Sequence, residues 1–282
     1  MGGMAIPVMP LNNGSELPLI GLGTYKLDND QTGAIVREAI ELGYRHIDTA
    51  KIYGNEEAVG KAVNGAIAAG DVAREDLFIT TKLWNDDQDR PERAFEESLG
   101  RLGLDYLDLY LVHWPWPQRG LYASAYEEIV GLRETGKLKA VGVSNFYPEV
   151  LDEIIAGTGV TPVLNQVELH AGFTQDELRG YHKDKGIVTE AWSPLARGAN
   201  FSEAALVEVA DKHGATPAQV ALAYLVGLGC SVIPKTANPR RLAENLAALD
   251  IKLDAEDVAA LDRMPGERQS ADPLSFPGEY EG

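Results

Sequence analysis

Arg45 to Val63 reads RHIDTAKIYGNEEAVGKAV and holds one complete unit of the chain's recurring plan. A short apolar entry, His46-Ile47-Asp48, ends in an acid. A connection carrying Ala50, Lys51, Ile52 and Tyr53 follows, and from about Asn55 the pattern is that of an amphipathic helix. The same change of character recurs in both directions. Apolar runs at 19–23, 77–82, 107–113, 139–144, 163–168, 187–192 and 230–234 join 46–48 as expected strands. Helical stretches lie between them at about 31–42, 56–69, 91–102, 122–135, 148–156, 175–184 and 217–227, with another at 239–248. Thr216-Pro217-Ala218-Gln219 carries the signature of a capping box with proline in the first turn, and Thr174 to Glu177 carries a second.

Eight strands that are apolar along most of their length suit a parallel sheet covered on both faces. Eight strand–helix units in 282 residues favour a closed (β/α)8 TIM barrel over a doubly wound sheet. Val8 to Leu19, turning at Asn12-Asn13-Gly14-Ser15, reads as a β-hairpin ahead of the barrel, and 202–213 and 254–264 read as two extra helices. The tail from Pro265 onward is rich in Gly, Pro and charge and is expected to be irregular. No linker interrupts the alternation, so residues 1–282 are expected to form a single domain.

Composition removes several classes of function. A formal charge of −18 argues against a nucleic-acid surface and against an anionic membrane, both of which are met by Lys and Arg. An anionic ligand would therefore need a local cluster of cations. The one cysteine, Cys230, cannot form an internal disulfide, and within GLGCSVIP it reads as a small core residue. MGGMAIPVMP lacks the basic flank and apolar stretch of a signal peptide, and no window reaches the roughly 18 apolar residues of a membrane span. The expectation is a cytoplasmic protein.

In a barrel of this kind the active site sits at the C-terminal ends of the strands. Those ends carry Asp48 with Tyr53 beyond it, Lys82, His113, Ser144-Asn145, Asn165-Gln166 with Glu168, Trp192-Ser193 and Lys235-Thr236. Polar residues at so many ends form one rim. A tyrosine is a weak acid at neutral pH, with an ordinary pKa near ~10. A lysine ammonium beside it favours the phenolate, and an aspartate holds that lysine charged. Asp48, Lys82 and Tyr53, with His113 one strand further, suit protonation of a carbonyl oxygen while a hydride arrives from elsewhere. Lys82 could instead attack a carbonyl as a Schiff-base amine, and the site could bind a cofactor with negligible turnover as a redox-sensing module.

Gly21-Leu22-Gly23-Thr24-Tyr25-Lys26 lacks the third glycine of a dinucleotide fingerprint, so any nicotinamide cofactor binds without a Rossmann arrangement. No pair of His or acid residues at the strand ends has metal-ligand spacing. His46, set in a strand and facing the barrel wall, is expected to be structural, as are His170, His182 and His213.

In order along the chain stand LPLIGLGTYKL, YRHIDTAKIYGNE, TKLWN, DLYLVHWP, VGVSNF, LNQVELH, AWSPL and IPKTANPRRLAENL. By these motifs the sequence resembles the aldo-keto reductase superfamily, and most the prokaryotic branch of 2,5-diketo-D-gluconic acid reductases. The resemblance implies an NADPH-dependent reductase of small-molecule carbonyls (aldehydes, ketones and dicarbonyls), working as a monomer. It implies a catalytic tetrad of Asp48, Tyr53, Lys82 and His113, with Tyr53 as the general acid. It places Ser144, Asn145 and Gln166 on the nicotinamide carboxamide, Trp192 against the ring, and Gly23, Thr24, Tyr25 and Asp48 beside it. Ser193, Pro194, Leu195 and Ala196 would run under the pyrophosphate. Lys235, Thr236, Ala237, Asn238 and Arg241 would receive the 2′-phosphate, and Glu244 and Asn245 the adenine. Substrate would lie among Tyr25, Tyr53, Trp84, His113 and Trp114, with Trp116 as a further wall. A short loop at 114–121 and a short tail suggest an open pocket.

Overall fold

A computed structural model describes residues 6–276 of the protein. Met1 to Ala5, the start of the segment that lacks a signal-peptide pattern, and residues 277–282 of the tail lie outside the described residues. The chain opens with β1 (Val8–Pro10) and β2 (Glu16–Pro18), the expected antiparallel hairpin. Leu11 and Leu17 of this hairpin are buried against Phe78, Leu109, Leu111, Ala140, Val163 and Leu164. It therefore plugs one mouth of the barrel.

The eight strands are β3 (Leu22–Gly23), β4 (His46–Asp48), β5 (Phe78–Leu83), β6 (Leu107–Val112), β7 (Leu138–Ser144), β8 (Leu164–Glu168), β9 (Val188–Trp192) and β10 (Ser231–Val232). They pair in parallel and in sequence order. The ring closes where Gly21 N donates to Val232 O at 2.9 Å, Val232 N to Leu19 O at 3.0 Å, and Gly23 N to Pro234 O at 3.2 Å. The first and last strands are shorter than the apolar runs at 19–23 and 230–234, because single bridges such as Ile20–Val232 and Gly23–Lys235 take over from regular pairing there. A Cβ on Gly23 would stand 2.7 Å from Ile233 O, so the absent side chain permits this closure.

Helices wrap the barrel: α1 (Asn29–Leu42), α2 (Glu56–Ala69), α3 (Pro91–Leu102), α4 (Tyr122–Gly131), α5 (Pro148–Thr158), α6 (Asp176–Lys185), α7 (Ala204–His213), α8 (Pro217–Gly227), α9 (Pro239–Ala247) and α10 (Ala255–Asp262). The stretch 122–135 divides into α4 and a 3-10 turn at Leu132–Thr135. α7 and α10 are the two helices outside the repeat, tied together by Lys212 and His213 on Asp257. The capping box at Thr216 forms. The one at Thr174 does not: Gln175, at φ 46, is the cap residue, and the Thr174 hydroxyl bonds the Asp176 carboxylate instead. Gln175 is drawn out of the helix because its amide donates to the carbonyl of Glu168.

Because side chains alternate along a strand, one set faces the helices and the other the barrel axis. The outer set, including Ile47, Ile79, Tyr110, Val141 and Val167, packs with the helices into the main core. The inner set is apolar beside the hairpin and polar towards the strands' C-terminal ends. His46 belongs to this inner set and not to the wall, since its ring approaches both Thr80 and Glu190, which lie on strands that do not neighbour each other. No helix among the described residues is long and apolar enough to cross a membrane. Cys230 is a buried free thiol.

Candidate active site

Asp48 closes β4 and Lys82 lies near the end of β5, so neighbouring parallel strands deliver them side by side. Lys82 Nζ donates to Asp48 Oδ1 at 2.7 Å, to the Thr49 carbonyl at 2.9 Å and to Tyr53 Oη at 3.4 Å. Tyr53 ends a 3-10 turn, Lys51–Tyr53, and Gly54 at φ 68 then turns the chain into α2. That turn brings the phenol back over the mouth of the barrel. Its ring meets His113 edge-on at 5.8 Å and Tyr25 at 5.1 Å. The four expected catalytic residues therefore converge, from three strand ends and one loop.

Burial would lower the pKa of Lys82, but the charges of Asp48 and Tyr53 beside it outweigh this and hold it above its ordinary value. The amine is a fixed ammonium, which removes the nucleophilic form that a Schiff base needs. Desolvation pushes the Tyr53 phenol up to about 12, with Lys82 pulling the other way. The sequence suggested a phenol made more acidic; here Lys82 only limits the effect of burial. Burial, helped by the charge of Lys82, holds His113 well below the usual imidazole range, so it is neutral.

These groups open onto a cavity of about 280 Å³. Of the expected residues, Gly23, Tyr25, Asp48, Tyr53, His113, Trp114, Ser144, Asn145, Gln166, Trp192, Ser193 and Lys235 line it. Trp84 does not. It is buried one layer back, edge-on to His113 at 5.1 Å, and supports the imidazole. Trp116 also turns away, its ring 5.2 Å from the Arg119 guanidinium. Thr24 is fully buried with its hydroxyl on the Asp48 carbonyl, a fastening for the strand end. Pro194, Leu195 and Ala196 lie outside the lining, in the turn after β9.

Among the described residues seven other than glycine have positive φ, and all follow the C-terminal ends of strands: Lys26, Trp116, Asn145, Gln175, Ser193, Ala196 and Arg197. Such conformations cost energy and gather at functional sites. Asn145 shows the use. Its amide donates to His113 O and Ser144 Oγ, both at 3.0 Å, while its oxygen accepts from Trp192 Nε1 at 3.0 Å. Expected to hold a carboxamide, it lines the cavity and also fixes the indole, whose face borders the same space. Gln166 gives both amide hydrogens to carboxylates, Asp48 Oδ2 at 2.8 Å and Glu190 Oε2 at 2.7 Å, which leaves its oxygen for a ligand.

The expected dinucleotide suits this set. A pinned aromatic face and an amide oxygen sit over the barrel axis, and the cation Lys235 stands at the cavity edge. Thr236, Ala237, Asn238, Arg241, Glu244 and Asn245 lie outside the cavity, on and before α9. Asn238 caps that helix, its side chain accepting from Arg240 N at 3.0 Å. Exposed Arg240 and Arg241 in the first turn make its start cationic. Among the described residues no group of three or more His, Cys, Asp or Glu is placed to hold a metal ion.

Ile52, Arg197, Ile233, Ser270, Ala271 and Phe276 also line the cavity, and sequence reasoning missed them. Arg197, a cation directly after SPLA, could have been noticed. Phe276 could not: it reaches the cavity by stacking on Trp114 at 4.4 Å, across most of the chain. The tail is fastened by Glu168, whose carboxylate accepts from Gln269 N at 2.7 Å and from the backbone and hydroxyl of Ser270. Burial would raise Glu168, but hydrogen bonds from His170, Ser270 and Gln269 outweigh it and hold the acid at about 2. The pocket expected to be open is thus walled on one side by the tail.

A family model described as "Aldo/keto reductase family" matches residues 19–265. Methylglyoxal reductase DkgA of Salmonella typhimurium is 46% identical over 279 residues, covering 98% of this chain and 100% of that protein. A solved structure of a Gox0644 mutant in complex with NADPH is 43% identical with a TM-score of 0.90, covering 96% of this chain and 98% of that one. A Bombyx mori aldo-keto reductase in complex with NADP is 36% identical with a TM-score of 0.86, covering 92% and 93%.

Proposed function

The chain belongs to the aldo/keto reductase family, and on that premise we propose that it reduces small aldehydes, ketones and dicarbonyls, such as methylglyoxal or a diketo sugar acid, with Tyr53 as general acid. It is an NADPH-dependent oxidoreductase acting on carbonyl groups. NADPH, when bound, supplies the hydride to the carbonyl carbon. The observation that carries the proposal is Lys82 Nζ, held by Asp48 and within 3.4 Å of Tyr53 Oη.

With its pKa held near 12, Tyr53 is fully protonated at neutral pH and ready to donate. As its proton moves to the carbonyl oxygen, negative charge develops on the phenol oxygen beside the fixed ammonium of Lys82, which stabilises it. Neutral His113 lines the same cavity and can orient the carbonyl oxygen by hydrogen bonding without competing as the acid. Apolar walls from Trp114 and Phe276 suit the carbon skeleton of a small substrate.

Tyr53→Phe is expected to abolish loss of NADPH absorbance with methylglyoxal while leaving NADPH binding nearly unchanged. Substantial turnover in that variant would sink the assignment of the acid. We further take residues 1–282 to be one catalytic domain, monomeric and cytoplasmic. Light scattering should return the mass of a single 30.5 kDa chain.

A further inference from the structure

Beneath the cavity lies a carboxylate that the proton transfer does not use. Glu190, in β9, is 0% exposed and points into the barrel. Its Oε2 accepts from Gln166 Nε2 at 2.7 Å, and the same amide nitrogen donates to Asp48 Oδ2 at 2.8 Å. Its Oε1 accepts from Ser231 Oγ at 3.2 Å and stands 3.6 Å from His46 Nδ1. That nitrogen has no hydrogen-bond partner among the described residues. Enclosing a carboxyl costs free energy that its own hydrogen bonds must offset.

We infer that Glu190 is a positioning residue that fixes the orientation of the Gln166 amide. A glutamine amide has a donor end and an acceptor end of nearly the same shape, so packing alone does not choose between them. Two carboxylate oxygens on one side make the choice. The NH2 group must face Asp48 and Glu190, and Oε1 must face the cavity. Asp48 alone would occupy only one of the two hydrogens and leave the amide free to swing. With both in place, an acceptor stands where the carboxamide NH2 of a nicotinamide needs one. The role needs only an acceptor at Oε2 and holds whether or not Glu190 carries a proton on its other oxygen. It rests on the reading of Gln166 as part of the nicotinamide site.

Equilibrium titration of protein fluorescence with NADPH tests this on the full-length chain. Glu190→Met, which removes the acceptor but keeps the volume, should weaken NADPH binding about tenfold, the effect of one lost hydrogen bond in an enclosed site. Its melting temperature should fall, because the buried Gln166 and Ser231 donors lose an acceptor, so binding is measured well below the melting transition. Glu190→Gln, which can still accept from Gln166, should bind within about threefold of the parent, a rescue that charge or packing alone would not give. In a Gln166→Leu background the Glu190→Met change should have no further effect, since it acts through that amide. Should Glu190→Met not fold, Glu190→Thr, too short to reach Gln166, takes its place under the same criteria. Parent-like binding by Glu190→Met, or binding by Glu190→Gln as weak as that of Glu190→Met, overturns the inference while leaving the cofactor site in place. Parent-like binding by Gln166→Leu overturns both.

Discussion

Among single residues, Lys82 has the most to lose. It has 0% exposure, gives hydrogens to three oxygens, and is the nearest cation to the phenol. Lys82→Met should reduce kcat/KM with methylglyoxal by roughly 10²–10⁴, the usual worth of a positioned proton-transfer apparatus. It should also destabilise the fold by roughly 3–5 kcal/mol, because Asp48 is left as a buried carboxylate without its counter-charge. Steady-state kinetics and denaturant unfolding check the two parts separately, and near-parent turnover would refute the first. The four candidate residues were legible because Asp48, Lys82 and His113 stand at the ends of apolar runs and Tyr53 in the loop after one, and the barrel's symmetry sends all such ends to one rim. The direction of the Tyr53 shift was not, since it depends on how deeply tertiary packing desolvates the phenol.

Among elements, α2 and α3 show how closely two helices can be required to approach. A Cβ on Gly60 would lie 2.1 Å from the Leu102 carbonyl oxygen, against backbone that cannot move aside cheaply. Gly65, on the same helix and exposed, would meet nothing within 4 Å. Gly60→Ala should therefore cost about 1–3 kcal/mol, the range for overpacking. Gly65→Ala should gain about 0.5–1 kcal/mol, because alanine loses less backbone freedom in a helix. Urea unfolding of both variants checks the pair, and equal effects would show that helix propensity alone decides. Element positions were readable from periodicity, and 56–69, 91–102 and 217–227 match their helices to the residue. The absence of a capping box at Thr174 was not readable, because a contact from Gln175 to the end of β8 overrides the local motif.

At the scale of the whole molecule, buried neutral histidines set the response to acid. Burial holds His46 and His182 at about 4 against an ordinary 6.5. His182 Nε2 faces the Asn165 amide nitrogen at 2.9 Å and Nδ1 faces Thr189 Oγ1 at 2.8 Å, so a second ring proton would meet a donor. A folded-state pKa below the unfolded one means stability that is complete above pH 6.5 and lost as pH falls from 6.5 through 4. The loss is at most about 3.4 kcal/mol per histidine, at 1.36 kcal/mol per unit. Urea midpoints should thus fall steadily between pH 7 and pH 4, and His182→Gln should flatten part of that fall. A midpoint constant over this interval would refute the account. Below it Glu168, at about 2 against 4.5, adds a further loss as its hold on the tail is protonated.

The sequence by itself determined the alternation of strand and helix, the hairpin before the barrel, the two helices outside the repeat, and which polar residues meet at the rim. Each of these comes from patterns a few residues long or from the fixed direction of parallel strands. Only the tertiary structure decided three things: closure through two-residue strands at Gly23 and Val232, the return of Phe276 over Trp114, and the buried path from Glu190 through Gln166 to Asp48. These join residues far apart in the chain, with side chains whose types fit a core or a loop equally well. Their roles come from which partners the closed barrel puts within hydrogen-bond or van der Waals reach, and no local pattern encodes that.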